Sequence, residues 1–332
     1  MTKNKIRWGI LSTAKIGRVQ VIPAMKKGIY TDVVAIASAN ADKVKQAANE
    51  LGIPRVYGSY EELLAADDID AIYNPLPNHL HVPYAVKALE AGKHVLCEKP
   101  IGLNAADATK LLETVKKYPK LKVMEAFMYR FHPQWQKAKE IIDGGLLGEV
   151  KHIHVIFTYY NVDAENIRNK PEVGGGALMD IGCYCLAFPR FIWGREPLRV
   201  VSTTNFDPVF KTDNLTTGML DFGDGLSASF TCSTQLEPYQ RVNIMGTKGR
   251  LEVEIPVNIP ADAHTRLWLQ RDKVIEEVRL KPVNQYQMQA DAFSKAILDD
   301  TPVPTPLTDA LANMRVIDAV VKSAETNGWV KV

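Results

Sequence analysis

Gly9-Ile-Leu-Ser12-Thr-Ala14-Lys-Ile-Gly17 ends the first apolar run, residues 6–11, and leads into a helical pattern carried by Ile16, Val19, Val21, Ile22 and Met25. Against the arrangement G-x-G-x-x-G, the small positions fall on Ser12, Ala14 and Gly17. Small residues serve three needs here: a tight turn, close approach of the backbone to a pyrophosphate, and close packing of helix on strand. Phosphates would then rest on the helix N-terminus, where unpaired N–H groups and the helix dipole favour anions. Ser12, Thr13, Ala14, Lys15 and Ile16 are read as the phosphate loop of a dinucleotide site, the alternative being an ordinary tight strand-to-helix turn.

Outward from this loop, residues 33–38, 70–74, 94–97 and 121–126 read as further short strands rich in Val and Ile. Helical patterns lie between them, as at Val44, Ala47, Ala48 and Leu51, and at Val82, Ala85, Val86 and Leu89. Strict alternation implies right-handed crossovers and a parallel sheet covered on both faces. The expected fold is α/β, with an N-terminal doubly wound Rossmann domain over residues 1–125. After residue 127 the pattern changes to successive long strands (150–160, 198–206, 214–222, 226–233, 241–245, 250–254, 266–270 and 274–279), flanked by helices at 133–143, 176–193, 286–299 and 307–327. Residues 126–332 therefore read as an α+β domain on a large, mostly antiparallel open sheet. One face of such a sheet is left for a partner, and a homodimer or homotetramer through it is expected.

The 332 residues suit two domains, and 46% hydrophobic with 23% charged residues excludes a disordered chain. Forty Lys+Arg against 38 Asp+Glu leave a net charge of +2 without a run of like charge, which argues against nucleic acid or an anionic membrane as partner. No apolar run reaches the ~18 residues of a membrane span, and no signal-peptide region precedes the first strand, so a cytoplasmic location and a small-molecule partner are expected. Cys97, Cys183, Cys185 and Cys232 lack disulfide or zinc spacing and read as reduced thiols. His152 and His154 share a strand face but have no nearby acidic or cysteine partner, and no metal site is assigned.

Four further segments carry chemistry. The second strand ends in Ser38-Ala-Asn40-Ala-Asp-Lys43, without the carboxylate that binds a ribose 2′-hydroxyl in NAD sites. A hydroxyl, an amide and an ammonium could instead hold a 2′-phosphate, which favours NADP(H) over NAD(H). In the alternative, Asn40 caps the next helix and Lys43 is solvated. Pro75-Leu76-Pro-Asn78-His-Leu-His81 and Glu98-Lys99-Pro100 both follow strand ends, where open α/β sheets bind ligands. Lys99, restrained beside a proline, suits donation to a substrate hydroxyl. In Gly174-Gly-Gly-Ala-Leu-Met-Asp180-Ile-Gly-Cys-Tyr184, a carboxylate and a phenol stand four apart on one helix face, an acid/base arrangement or else a polar helix face with a satisfied tyrosine.

Together these segments resemble the Gfo/Idh/MocA oxidoreductase family over nearly the whole chain, through Pro77-Asn78-x-x-His81, Ala91–Pro100, Gly174–Tyr184 and Met245-Gly-Thr-Lys-Gly. Tyr184 stands where many members carry His, and with Glu125–Pro133 this is similar to the branch of glucose–fructose oxidoreductase, dihydrodiol dehydrogenase and xylose dehydrogenase. The resemblance implies an NAD(P)-dependent dehydrogenase or reductase that moves a hydride to or from a CH–OH carbon of a sugar, polyol or diol. It carries the catalytic roles to Lys99, Asp180 and Tyr184, and makes the segment Ser38-x-Asn40-x-x-Lys43 similar to an NADP-binding one. Pro75, Leu76, Asn78, His81, Glu98 and Lys99 are expected along the cofactor, and Arg130, Tyr160, Asn161 and Arg168 against the substrate. The same fold also serves non-catalytic cofactor-sensing regulators, expected to lack relay residues, and NAD-dependent glycosidases without net redox change.

Overall fold

The structure is a computed structural model that describes residues 4–332. Its backbone contacts divide the chain into a unit of residues up to 128 joined by Asn284–Leu311, and a unit of Tyr129–Val283 with Ala312–Val332.

The first unit is built on β1 (Ile6–Leu11), β2 (Thr31–Ala37), β3 (Arg55–Tyr57), β4 (Ala71–Asn74), β5 (His94–Cys97) and β6 (Val123–Glu125), all parallel, in the order β3-β2-β1-β4-β5-β6. Helical connections run between them: a π turn at Gly17–Val21 continuing as α1 (Ile22–Met25), then α2 (Ala41–Leu51), α3 (Tyr60–Leu64), α4 (Asn78–Glu90) and α5 (Ala105–Lys117). Trp8, Ile10 and Leu11 are wholly buried, as expected of a central parallel strand covered on both faces. At Gly9 a side-chain carbon would stand 2.7 Å from Leu63 Cδ2, so the close approach of α3 to β1 is what this glycine permits. The pair β3 and α3 is absent from the sequence reading because β3 is three residues long, none of them fully buried, and its exposed residue is the apolar Val56.

One boundary near residue 125 was expected, but the structure returns 284–311 to the first unit. Helix α8 (Gln285–Leu298) lies against β1 and β2, with Trp8 Nε1 donating to Ser294 Oγ at 3.1 Å and the Trp8 and Phe293 rings 5.8 Å apart. Tyr30 N donates to Asp291 Oδ1 at 2.9 Å. These partners are more than 250 residues apart in the chain, beyond the reach of any local periodicity.

In the second unit α6 (Pro133–Asp143) precedes β7 (Val150–Tyr160), and a π turn at Leu178–Gly182 continues as α7 (Cys183–Trp193). Then follow β8 (Arg199–Phe206), β9 (Asp213–Gly223), β10 (Leu226–Ser233), β11 (Gln235–Gly246), β12 (Gly249–Val253), β13 (Thr265–Arg271) and β14 (Val274–Leu280). After α9 (Leu307–Thr326), in which the division between the units falls, β15 (Val330–Lys331) pairs with β8. The nine strands lie in the order β14-β13-β12-β11-β7-β10-β9-β8-β15, antiparallel except that β7 and β10 run parallel, from Ser227 opposite His152 to Ser233 opposite Thr158. Alternating burial identifies a strand but carries no sign of direction, so this parallel pair is invisible in the sequence. On the helical side, Trp135 stacks on Phe188 at 4.5 Å and its Nε1 donates to Pro256 O at 2.9 Å. Among the described residues no helix is long and apolar enough to cross a membrane.

Because Phe293 is fully buried beside Trp8, Phe293→Ala should destabilise its unit by about 3–5 kcal/mol. Hydrogen exchange resolved by segment should show lost protection in β1 and β2 and little change in β10, whereas loss confined to the second unit would contradict the assignment of α8.

Candidate active site

In the first unit the loop after β1 takes the turn anticipated for it. Ser12 adopts a left-handed φ of 66°, its N–H donates to Ala37 O at 2.8 Å, and its Oγ accepts from Ala14 N at 3.2 Å. The strand-to-helix reversal is thereby closed within three residues. Arg18 N donates to Ala14 O at 3.0 Å, which places Ala14 at the helix start. The opening N–H groups of a helix lack acceptors within it, so a small-residue turn and a helix N-terminus fit the pyrophosphate of a dinucleotide. Gly17 is not a steric necessity: a Cβ there would meet its nearest neighbour, Tyr73 Cε1, at an ordinary 3.6 Å.

Beyond β2, Ser38 is buried and its Oγ accepts from Asn40 N at 3.3 Å, while Asn40 Oδ1 accepts from Lys43 N at 2.9 Å and caps α2. Lys43 is exposed in the first turn of that helix. Capping uses the Asn40 oxygen, so the capping reading holds and the amide nitrogen is the part of this side chain left for a ligand to address. At the ends of β4 and β5, Asn74 Nδ2 donates to His81 O at 3.0 Å and its Oδ1 accepts from Leu76 N at 3.3 Å. The His81 ring lies between Leu76 O and Pro100 O, 2.7 Å from each. The carbonyls favour an imidazolium, but burial outweighs them and, with the Lys99 charge nearby, holds His81 down near 4. The ring thus stands between the segment after β4 and the segment carrying Lys99, and in its neutral form it donates to one of the two carbonyls only. Glu98 accepts from Tyr73 OH at 2.7 Å.

In the second unit Asp180 lies in the π turn and Tyr184 in the first turn of α7. Asp180 Oδ2 accepts from Tyr159 OH at 2.6 Å and pairs with Arg168 Nε at 2.8 Å. Burial and the neighbouring carboxylate push the Tyr159 phenol well up, and the carboxylate raises the Arg168 guanidinium, so both stay protonated as donors. Tyr184 is buried, its ring edge-on to Tyr129 at 6.0 Å and 6.2 Å from Phe157.

Each glycine of the triplet is tied to this geometry. Gly174 has φ 82° and ends the short helical turn Pro171–Val173. A Cβ at Gly175 would sit 2.6–2.8 Å from the carbonyl oxygens of Arg168, Ile167 and Lys170. At Gly176, with φ 116°, it would lie 1.9 Å from Asp213 Oδ1, the carboxylate that accepts from Leu178 N at 2.7 Å. Asp213 thus caps from another strand the helical segment that holds Asp180 and Tyr184.

The residues expected against substrate divide. Arg168 joins Asp180, whereas Tyr160 projects 63% exposed from the opposite face of β7 to Tyr159. Asn161 is built into its own loop, its Oδ1 accepting from Asp163 N at 3.0 Å and Asn169 Nδ2 at 3.2 Å. The Arg130 guanidinium lies 5.5 Å from the centre of the Phe191 ring. The sequence reading missed Tyr159 and Asp213; a Tyr-Tyr pair at a strand end does not reveal which ring faces inward, and Asp213 acts across 35 residues. His152 and His154 bond Ser227 and Ser229 of β10, and among the described residues no three His, Cys, Asp or Glu converge as metal ligands.

Residues 6–127 match the oxidoreductase family with an NAD-binding Rossmann fold, and residues 135–252 match the GFO/IDH/MocA C-terminal domain. The chain belongs to the Gfo/Idh/MocA oxidoreductase family. It is 41% identical to the uncharacterized oxidoreductase ORF334 of Rhizobium meliloti over 98% of both chains. It is 35% identical to a D-xylose 1-dehydrogenase (NADP(+)) of Haloferax volcanii over 98% of this chain and 99% of that one. A 3-ketoreductase from Actinomadura kijaniata, solved with NADP and TDP-benzene, has a TM-score of 0.92 at 29% identity, covering 96% of this chain and 98% of its own. This Gfo/Idh/MocA protein is thus an NAD(P)-dependent oxidoreductase, its dinucleotide-binding Rossmann fold in the first unit and its family C-terminal domain in the second.

Desolvation pushes Asp213 up to about 6 even though backbone N–H groups oppose the shift. An acid whose folded value exceeds its unfolded one favours folding below the unfolded value and loses that contribution as pH rises through the folded one. Between about pH 4 and 6 the protein should therefore lose on the order of 3 kcal/mol through this group, a slope that Asp213→Asn abolishes. Denaturant midpoints of the two proteins across that range measure the difference, and parallel curves would refute it.

Proposed function

We propose that this chain prefers NADP(H) and acts on a hydroxyl carbon, or the matching carbonyl carbon, of a sugar, polyol or diol. The observation that carries the reading is the pairing of Asp180 with Tyr184 along one helical segment, the carboxylate already held by two donors. Nicotinamide, when bound, supplies or accepts a hydride at ring carbon C4. Tyr184 exchanges the hydroxyl proton and Asp180 orients the group that reacts; donation to a substrate oxygen, with stabilisation of negative charge there, is the role that the family resemblance carries to Lys99. A free phenol titrates near 10, so positive charge beside it is what makes proton exchange effective at neutral pH.

The cofactor preference is supported by the end of β2, where Ser38 rather than a carboxylate follows the strand, with Asn40 and Lys43 at the start of α2 and Asp42 the one acid among them. The relatives named for NADP, a xylose dehydrogenase and a 3-ketoreductase, agree with it. The substrate class rests on the same names together with those of trans-1,2-dihydrobenzene-1,2-diol dehydrogenases. A homo-oligomer formed through the outer face of the nine-stranded sheet accompanies this reading, supported by the exposure of Met219 and Met245 there. A non-catalytic regulator would have no use for a tyrosine and a carboxylate held in this arrangement.

Tyr184→Phe should lower turnover by about 10²- to 10⁴-fold on a panel of aldoses, polyols and dicarbonyl sugars, with NADPH binding, followed by fluorescence, nearly intact. Full turnover in that variant would remove Tyr184 from the chemistry. For the cofactor, Ser38→Asp should shift preference toward NADH through repulsion of the 2′-phosphate, and equal NADPH and NADH affinities in the unaltered protein would refute the preference.

A further inference from the structure

We propose that Arg168 is a positioning residue, which fixes the Asp180 carboxylate and neutralises it beside Tyr184, rather than a contact to substrate. The inference rests on the role given to Tyr184 above and extends it to the electrostatics around the phenol. Asp180 Oδ2 receives both Arg168 Nε and the Tyr159 hydroxyl, so this oxygen is already committed before any substrate arrives. With 13% of its side chain exposed, Asp180 would stand as a poorly solvated anion about one helical turn from the phenol if Arg168 were absent. A like charge at that distance opposes formation of phenolate, and an adjacent guanidinium favours it. Arg168 and Tyr184 do feel one another: the phenol, beside the dominant Asp180, adds to the upward shift of the guanidinium.

The segment holding Arg168 is fastened independently of any ligand. Gly176 N donates to Arg168 O at 2.8 Å, and Gly175 N donates to Lys170 O at 3.1 Å. Asn169 Nδ2 donates to Asp163 O at 2.8 Å and to Asn161 Oδ1 at 3.2 Å. Those carbonyls lie against the same glycines that begin the helical segment bearing Asp180, so cation and carboxylate share one backbone anchor. The delocalised guanidinium offers Nε to the carboxylate at a fixed angle, which an ammonium on a flexible stem does not reproduce.

The test uses Arg168→Met, Arg168→Lys and Tyr184→Phe, each first shown to bind NADPH. The ionisation of Tyr184 is isolated as the ultraviolet tyrosinate titration of each protein minus that of its counterpart also carrying Tyr184→Phe. Arg168→Met should move that titration to higher pH by roughly one unit or more, and lower kcat by about tenfold or more near neutrality with KM nearly constant on the same aldose and dicarbonyl panel. Arg168→Lys should leave the titration near its original position and recover part of kcat. An unshifted titration in Arg168→Met, or a lysine variant that titrates like the methionine one, overturns the proposal. So does a raised KM with unchanged kcat, the signature of a substrate contact. These outcomes leave the Tyr184 reading standing, which fails separately if Tyr184→Phe alone keeps full turnover.

Discussion

At Gly176 a side-chain carbon would fall 1.9 Å from the Asp213 carboxylate, and much of the second unit's chemistry depends on that absent atom. With a bare Cα there, Asp213 reaches Leu178 N and starts the helical segment. Next to it, Gly175 lets three carbonyl oxygens of residues 167, 168 and 170 close in. The two glycines thus join the origin of the helix to the segment that supplies Arg168, and Asp180 meets its guanidinium without a long-range search. At the far end of the π turn, a Cβ on Gly182 would lie 2.9 Å from Cys232 Sγ, so close packing on β10 sets the helix against the sheet. Such π turns recur at functional sites because the extra residue redirects the side chains that follow.

How much of this is legible in the sequence depends on the range over which each feature acts. The first unit's strands are short buried runs separated by helical periods, and local patterns suffice to find β1, β2, β4, β5 and β6 together with their parallel arrangement. The turn at Ser12 is local as well, and its residues are where the spacing placed them. Helix α8 is equally plain as a helix, yet nothing in residues 285–298 says that Trp8 is its partner. The same limit hides the parallel pairing of β7 with β10. For the site, the spacing of Asp180 and Tyr184 is local and was readable, whereas Tyr159 and Asp213 reach the helix from separate strands. Tyr160 shows what a step of one residue does in a strand: it turns the neighbouring ring to the opposite face.

The net charge of +2 conceals how charge is used. A carboxylate placed four residues before a buried tyrosine carries a cost for any mechanism that needs the phenol to ionise, because the two repel when both are charged. The remedy available on a single helix is a cation three or four residues from the acid. Here those positions hold Gly176, Ala177, Cys183 and Tyr184, all of them buried, and Gly176 has no room for a side chain. A lysine or arginine at Ala177 or Cys183 would have to bury its charge in the packing that sets the helix on the sheet. The neutralising cation therefore has to come from another segment, one held near the helix start and rigid enough to keep its guanidinium on the carboxylate. The carbonyls packed on Gly175 and the Asn169 hydrogen bonds meet that requirement. Glycine is demanded in this turn by the electrostatics of the pair it brings together as much as by its backbone angles.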